Sequence, residues 1–324
     1  MTAQLFATPD NPVPPDAQVG ELEAHDGLTL RYAIWQHAPG TRLKGTVCLF
    51  GGRSEFIEKY FETIGDLRKR GFAVATMDWR GQGGSGRVLK QRRRGQVDTF
   101  ELYDRDLVQF MNEIVLPDAP APYFALAHSM GGNILLRTTV SRTVWFDRMV
   151  LSAPMLRLIT GMPQGLVRRT AEVLAFLGFG NAYLPGGGDT IGDTASFKNN
   201  VRTRDARRYA RNAAIVDTCP DLGLGGPTVQ WLVSAYDAMD VFEAPDFPQR
   251  VTIPVMMFGA SDDVIVDTRT IEQLASQLRV GAFMLLPHAR HEILMERDEV
   301  REQFWAAFDA FIPGTPVPGR GRYG

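Results

Sequence analysis

Apolar and polar positions along the chain repeat with two periods that take turns. LTLRYAIWQ (28–36) alternates and predicts a strand, and GTVCLF (45–50) is the unbroken apolar run of a strand buried on both faces. EKYFETIGDLRKRG (58–71) has helical spacing and stops at Gly71, a helix C-terminal signal. FAVATMDW (72–79) predicts the next strand, followed by a glycine-rich turn, RGQGGSGR. DTFELYDRDLVQFMNEIV (98–115) predicts a helix with Asp98 or Thr99 as its cap. YFALA (123–127), MGGNILLRTTV (130–140) and FDRMVLSAP (146–154) then read as strand, helix and strand.

This β-α-β-α-β order with short connections predicts a mostly parallel central sheet covered by helices on both faces. The alternation breaks at Met155. Up to Val241 no clear buried strand is present, only helical pieces such as GLVRRTAEVLAFLGF (165–179) and RDARRYARNAA (204–214) between glycine-rich stretches. Strand and helix then resume with TIPVMMFGA, TRTIEQLASQL, AFMLLP and EVREQFWAAFDAFI. The expected organisation is one α/β core in two parts, 1–154 and 242–324, interrupted by a helical cap over 155–241. No internal repeat is evident, and a Pro/Gly tail follows Ile312.

Composition narrows the class. The 324 residues are 44% hydrophobic and 22% charged with a net charge of −2, ordinary for a globular protein and without the excess that would point to nucleic acid. The two cysteines cannot build a disulfide framework; Cys48 sits inside an apolar run and reads as a small core residue. The N-terminal residues lack the charged and apolar regions of a signal peptide, and no apolar run approaches the ~18 residues that span a bilayer. A cytoplasmic protein is expected, open to peripheral contact with a membrane surface.

The chemistry is concentrated in YFALAHSMGGNILLR (123–137). A strand that runs into a serine flanked by small residues, then into a helix, has the form of a nucleophile elbow, A-x-S-x-G here in place of G-x-S-x-G. Ala127 and Gly131 are the positions that strand and helix crowd, and Ser129 is the candidate nucleophile. The competing reading is a serine that merely caps the helix. A serine nucleophile needs a base and an orienting carboxylate, in the chain order serine, acid, histidine. Of five histidines, only His288 and His291 lie beyond the insertion; His25 and His37 precede the sheet core, and elbow geometry is expected to point His128 away. The acid should follow the strand PVMMFGA, which leaves Asp262, Asp263 and Asp267, one to cap the next helix and one to orient the base. The oxyanion donors should be the backbone N–H of Met130 and one from LFGGRSEF, where Gly51 and Gly52 let the backbone come close to a substrate.

With these pieces in order, the chain resembles α/β-hydrolases of the bacterial lysophospholipase and monoacylglycerol lipase group from about Gly45 to Ile312. GGRSEFIEKY is similar to that group's oxyanion loop, H-G-x-G-E-H-S-x-R-Y: Gly52, Glu55 and Tyr60 match, Gly51 replaces the histidine, and Arg53 replaces the residue that donates the N–H. MDWRGQGGSGR resembles the D-x-R-G-x-G-x-S turn, and LAHSMGG the elbow. IPVMMFGASDDVIVD aligns without a gap so that Asp263 falls on the family acid, ahead of Asp262. HARHEIL resembles G-A-Y-H-E-I-L and selects His291 over His288. The resemblance thus implies an α/β-hydrolase fold with a Ser129–Asp263–His291 triad, an oxyanion hole of Arg53 and Met130, and neither metal nor organic cofactor.

The implied activity is hydrolysis of a carboxylic ester in a single-chain acyl lipid, lysophospholipid or monoacylglycerol. A small-ester hydrolase or serine aminopeptidase would use the same triad, and a non-catalytic binding protein on this fold would not need all three groups. Leu, Met and Phe in the insertion suit a lid, although packing onto the core would also use them. Arginines at 92–94 and at 202, 204, 207, 208 and 211 read either as solvated faces or as contacts for phosphate or a membrane surface.

Overall fold

The computed structural model describes residues 3–140, 144–192 and 196–312. The Pro/Gly tail after Ile312 lies outside them. The apolar runs become the middle of an eight-stranded sheet ordered β1-β2-β4-β3-β5-β6-β7-β8. Its strands are β1 (Gln18–Glu23), β2 (Thr29–Trp35), β3 (Gly45–Phe50), β4 (Phe72–Met77), β5 (Tyr123–His128), β6 (Arg148–Ser152), β7 (Val255–Ala260) and β8 (Gly281–Leu286). From β4 to β8 the strands are parallel; β1 and β2 add an antiparallel edge. Every residue of β3 and β4 is buried, as their unbroken apolar sequences require when helices cover both faces.

The connections are α1 (Phe61–Lys69), α2 (Glu101–Phe110), a short α3 (Leu116–Asp118) and α4 (Met130–Thr138). After β7 come α9 (Thr268–Gln277) and, following β8, α10 (Asp298–Phe311). Travel across the sheet reverses after β4, so right-handed crossovers set α1 on one face and α2, α4 and α9 on the other. The last helix, α10, joins α1: Arg301 meets Asp66 at 2.5 Å, Arg70 meets Asp309 at 2.9 Å, and Phe308 packs edge-on against Phe72.

Between β6 and β7 lie α5 (Gln164–Leu174), α6 (Ala206–Thr218), α7 (Val229–Asp240) and α8 (Phe247–Arg250). Helix α7, not anticipated from the sequence, is capped by Thr228, whose side chain accepts from the Trp231 N–H. Strand β1 was likewise missing from the pattern, because Leu22 is its single buried residue and the rest is polar or half-exposed. Of the two expected caps of α2, Thr99 accepts from the Glu101 N–H at 3.4 Å although the capping position itself is Phe100, whereas Asp98 instead accepts from Gln96 at 3.1 Å. Gly71 does end α1, at φ +92° with its N–H on the Arg68 carbonyl.

Glu62 on α1 ties three helices together. Its carboxylate accepts from Arg208 at 2.6 and 2.8 Å and from Arg211 at 2.7 Å, with Arg301 at 3.8 Å. Burial alone would raise the Glu62 pKa, but Arg208, Arg301 and Arg211 outweigh it and hold the carboxyl well below its ordinary range. A depressed pKa gives stability that is present above the unfolded value, about 4.3, and lost as pH falls through the folded one. Glu62→Gln should therefore destabilise the protein by roughly 1–3 kcal/mol at neutral pH. Thermal melts should show that deficit shrinking as the pH is lowered below about 4. A deficit equal at both pH values would mean that the ion cluster contributes nothing.

Candidate active site

The strand–serine–helix junction is an elbow in fact. Ser129 follows β5 directly and precedes α4, with φ 50° and ψ −115°, a strained conformation for a residue with a side chain. Three backbone bonds hold it there: its N–H on the Ser152 carbonyl at 3.0 Å, and its carbonyl accepting from Asn133 at 3.1 Å and Met155 at 3.0 Å. Its hydroxyl makes no capping bond to α4. The small neighbours are needed for space. A Cβ added at Gly131 would stand 2.6 Å from the Gly51 carbonyl oxygen, and one at Gly52 would stand 3.1 Å from Ser129 Cβ.

Three sequence-distant groups meet in line. His291 Nε2 lies 2.9 Å from Ser129 Oγ, and His291 Nδ1 lies 2.8 Å from Asp263 Oδ2. The other Asp263 oxygen accepts from the N–H groups of Ile265 at 2.8 Å and Val266 at 3.0 Å. Burial works against the Asp263 carboxylate, but His291 and these N–H donors prevail and hold its pKa below the usual range. The neighbouring aspartates have other partners. Asp262 is half-exposed and pairs with Arg204 at 2.5 Å, while Asp267 caps α9 by accepting from the Arg269 N–H. His288 is exposed at the loop tip, its N–H donating to Ser261 Oγ.

His128 does not point clear of this group, contrary to the expectation from the elbow. Its ring is buried 4.7 Å from that of His291, with Nδ1 3.0 Å from the Ser152 carbonyl. Burial, with the nearby His291 and Lys59, lowers its pKa to about 4 despite the opposing pull of Glu55, so it is neutral near pH 7.

The loop after β3 is held from below. Glu55 accepts from the Gly52 N–H and from the Tyr60 hydroxyl, Gln82 donates to the Gly52 carbonyl at 2.7 Å, and the Ser54 N–H reaches Gln82 at 3.2 Å. The Gly52 and Ser54 N–H groups are thereby used. Those of Arg53 and Met130 have no hydrogen-bond partner among the described residues. Two unpaired backbone donors beside a serine, Met130 in the first turn of α4 and Arg53 in the loop after β3, are available to an anionic oxygen.

Sequence reasoning missed what links this loop to the histidine loop. Lys59 is fully buried, 2.9 Å from Glu55 and 2.7 Å from Glu292, so one ammonium group bridges the two segments that flank Ser129. The i,i+4 spacing of Glu55 and Lys59 was a local signal; Glu292 had only its place after His291. Among the described residues, no group of three or more His, Cys, Asp or Glu is placed to hold a metal ion.

Comparison with known proteins gives the family. The family model described as serine aminopeptidase, S33, a hydrolase family, matches residues 41–298. The chain belongs to that family. It is therefore an α/β-hydrolase and a serine hydrolase by class. The hydrolase is 31% identical over 290 residues to lysophospholipase L2 of Escherichia coli (strain K12), covering 87% of this chain and 83% of that one. It is 29% identical over 288 residues to monoglyceride lipase of Mus musculus, covering 88% and 82%. In fold it is similar to a soluble variant of monoglyceride lipase from Saccharomyces cerevisiae, solved with a substrate analogue, at a TM-score of 0.71. That likeness carries 22% identity and covers 94% of this chain and 97% of the other.

Proposed function

We propose that this hydrolase cleaves the carboxylic ester of single-chain acyl lipids, lysophospholipid or monoacylglycerol, through an acyl-enzyme on Ser129. The observation that carries the mechanism is the unbroken Asp263–His291–Ser129 chain of hydrogen bonds. His291 Nε2 takes the Ser129 proton as Oγ attacks the ester carbonyl, and Asp263 stabilises the imidazolium that forms. The Arg53 and Met130 N–H groups receive the developing oxyanion. His291 then gives its proton to the departing glycerol oxygen. A water deprotonated by His291 attacks the acyl-serine, releasing the fatty acid and restoring Ser129.

A lipid substrate is favoured by the names of the relatives and by the surface of the 155–241 segment, which we read as the lid. Met155 and Leu156 pack into the core, but Met162, Leu166, Leu177 and Phe179 are exposed, and Phe176 is 91% exposed. An outward apolar face of this kind suits contact with a lipid surface. No helix among the described residues is long and apolar enough to cross a membrane, so that contact would be peripheral.

The test is a panel of glycerol esters of graded chain length, offered dispersed and in vesicles, with an aminoacyl anilide beside them. Each added methylene contributes about 0.8 kcal/mol of transfer free energy, so kcat/KM should climb by up to roughly fourfold per methylene before levelling off. Vesicle presentation should favour the long chains further. Fastest turnover of acetyl or butyryl esters would point to a small-ester hydrolase, and of the anilide to an aminopeptidase. Turnover of none, with no covalent labelling of Ser129, would leave a binding protein.

A further inference from the structure

The arginine clusters that suggested phosphate recognition in the sequence are largely occupied. Arg204 pairs with Asp262 at 2.5 Å, Arg208 with Glu62 at 2.6 Å, Arg211 with Glu62 at 2.7 Å, and Arg207 lies 3.5 Å from Asp298. Arg92 lies 3.5 Å from Asp221, and Arg93 and Arg94 donate to the carbonyls of Asp189 and Asn181. A different arginine stands beside the serine. Arg53 follows Gly52, where an added Cβ would stand 3.1 Å from Ser129 Cβ, and its guanidinium lies 5.1 Å from the centre of the Trp231 ring on α7. Its hydrogen bonds go to two neutral oxygens, Ser54 Oγ at 2.9 Å and the Gly225 carbonyl at 3.1 Å. Nε is fully buried and has no partner, and no carboxylate pairs with the group among the described residues.

A guanidinium drawn partly out of water, as half-buried Arg53 is, with no acid beside it is costly unless something anionic arrives. Burial, with the nearby Arg202 charge adding to it, lowers the Arg53 pKa to about 10, so the group stays charged at neutral pH while facing no compensating anion. Its planar fork matches a phosphate better than any neutral head group. An arginine side chain is also of similar length to the glycerol that separates an acyl ester from its phosphate. Building on the esterase reading above, we propose that the Arg53 side chain is the head-group receptor, selecting glycerol esters that carry a phosphate over neutral ones. One residue would then contribute its backbone to the reacting carbonyl and its side chain to the far end of the same substrate.

The experiment compares 1-oleoyl-lysophosphatidylglycerol with 1-oleoylglycerol in one neutral detergent micelle, using the full chain as wild type, Arg53→Met and Arg53→Lys. The ratio of kcat/KM values, phosphate lipid over neutral lipid, should fall roughly 10- to 100-fold in Arg53→Met. Arg53→Lys, which keeps the charge and loses the fork, should restore part of it. A structural strap between loop and α7 predicts instead that both lipids suffer in proportion, and that result would overturn the proposal. A second readout does not need turnover: protection of Ser129 from a fluorophosphonate by sn-glycerol 3-phosphate or by inorganic phosphate. Protection by glycerophosphate that exceeds inorganic phosphate and disappears in Arg53→Met supports the head-group site, even should neither lipid be hydrolysed and the esterase reading fail. Equal protection by both anions, or protection that survives the substitution, refutes it while leaving the esterase reading standing.

Discussion

Ser129→Ala is expected to lower kcat on a long-chain glycerol ester by about 10⁵- to 10⁶-fold, the loss seen when a triad nucleophile is removed. What remains is the background that an oxyanion hole and substrate binding sustain by themselves. The fold should survive. The three backbone bonds that set the elbow come from the main chain of residue 129, and among the described residues its hydroxyl bonds to His291 alone. Alanine meets the same backbone strain at φ 50° that serine already bears. The melting free energy should change by less than about 1 kcal/mol. Equal losses of activity and stability would mean that Ser129 holds the junction together and does no chemistry.

The second large effect separates two adjacent aspartates. Asp263→Asn should lower kcat by about 10⁴-fold, because an amide on the His291 ring favours the wrong tautomer and cannot stabilise the imidazolium. Asp262→Asn breaks an exposed pair with Arg204, its side chain 40% accessible, and should cost less than about 1 kcal/mol of stability with the chemical step near wild type. Single-turnover acylation rates of the two variants decide the matter. A larger fall for Asp262→Asn would move the acid by one residue and require a different conformation of the loop after β7.

The sheet was legible where burial on both faces left an unbroken apolar run, as in β3 and the strand leading to Ser129. It was not legible in β1, where an edge position demands one buried side chain, or in α7, whose cap and apolar face sit among glycine-rich neighbours. Ser129 and its small flanks could be read because the constraint is local: strand and helix meet within a few residues. The pairing of His291 with Asp263 needed the family resemblance, since spacing by itself left two histidines and three aspartates open. What stayed hidden was electrostatic and long-range. Nothing near Lys59 in the sequence announces that Glu292 closes its ion network, or that Arg208 and Arg211 of α6 face the acids of α1 and α10 rather than solvent. His128 was misjudged because local elbow geometry does not show that the final loop brings a second imidazole against it.

Nucleophilic catalysis by Ser129 is tested most directly by peptide mapping of the intact chain after reaction with a long-chain alkyl fluorophosphonate, with and without excess monoacylglycerol or lysophospholipid. One phosphonylated site, Ser129, is expected, formed more slowly when either lipid is present. An adduct on another residue, or ester hydrolysis that proceeds unchanged with Ser129 fully modified, would contradict it.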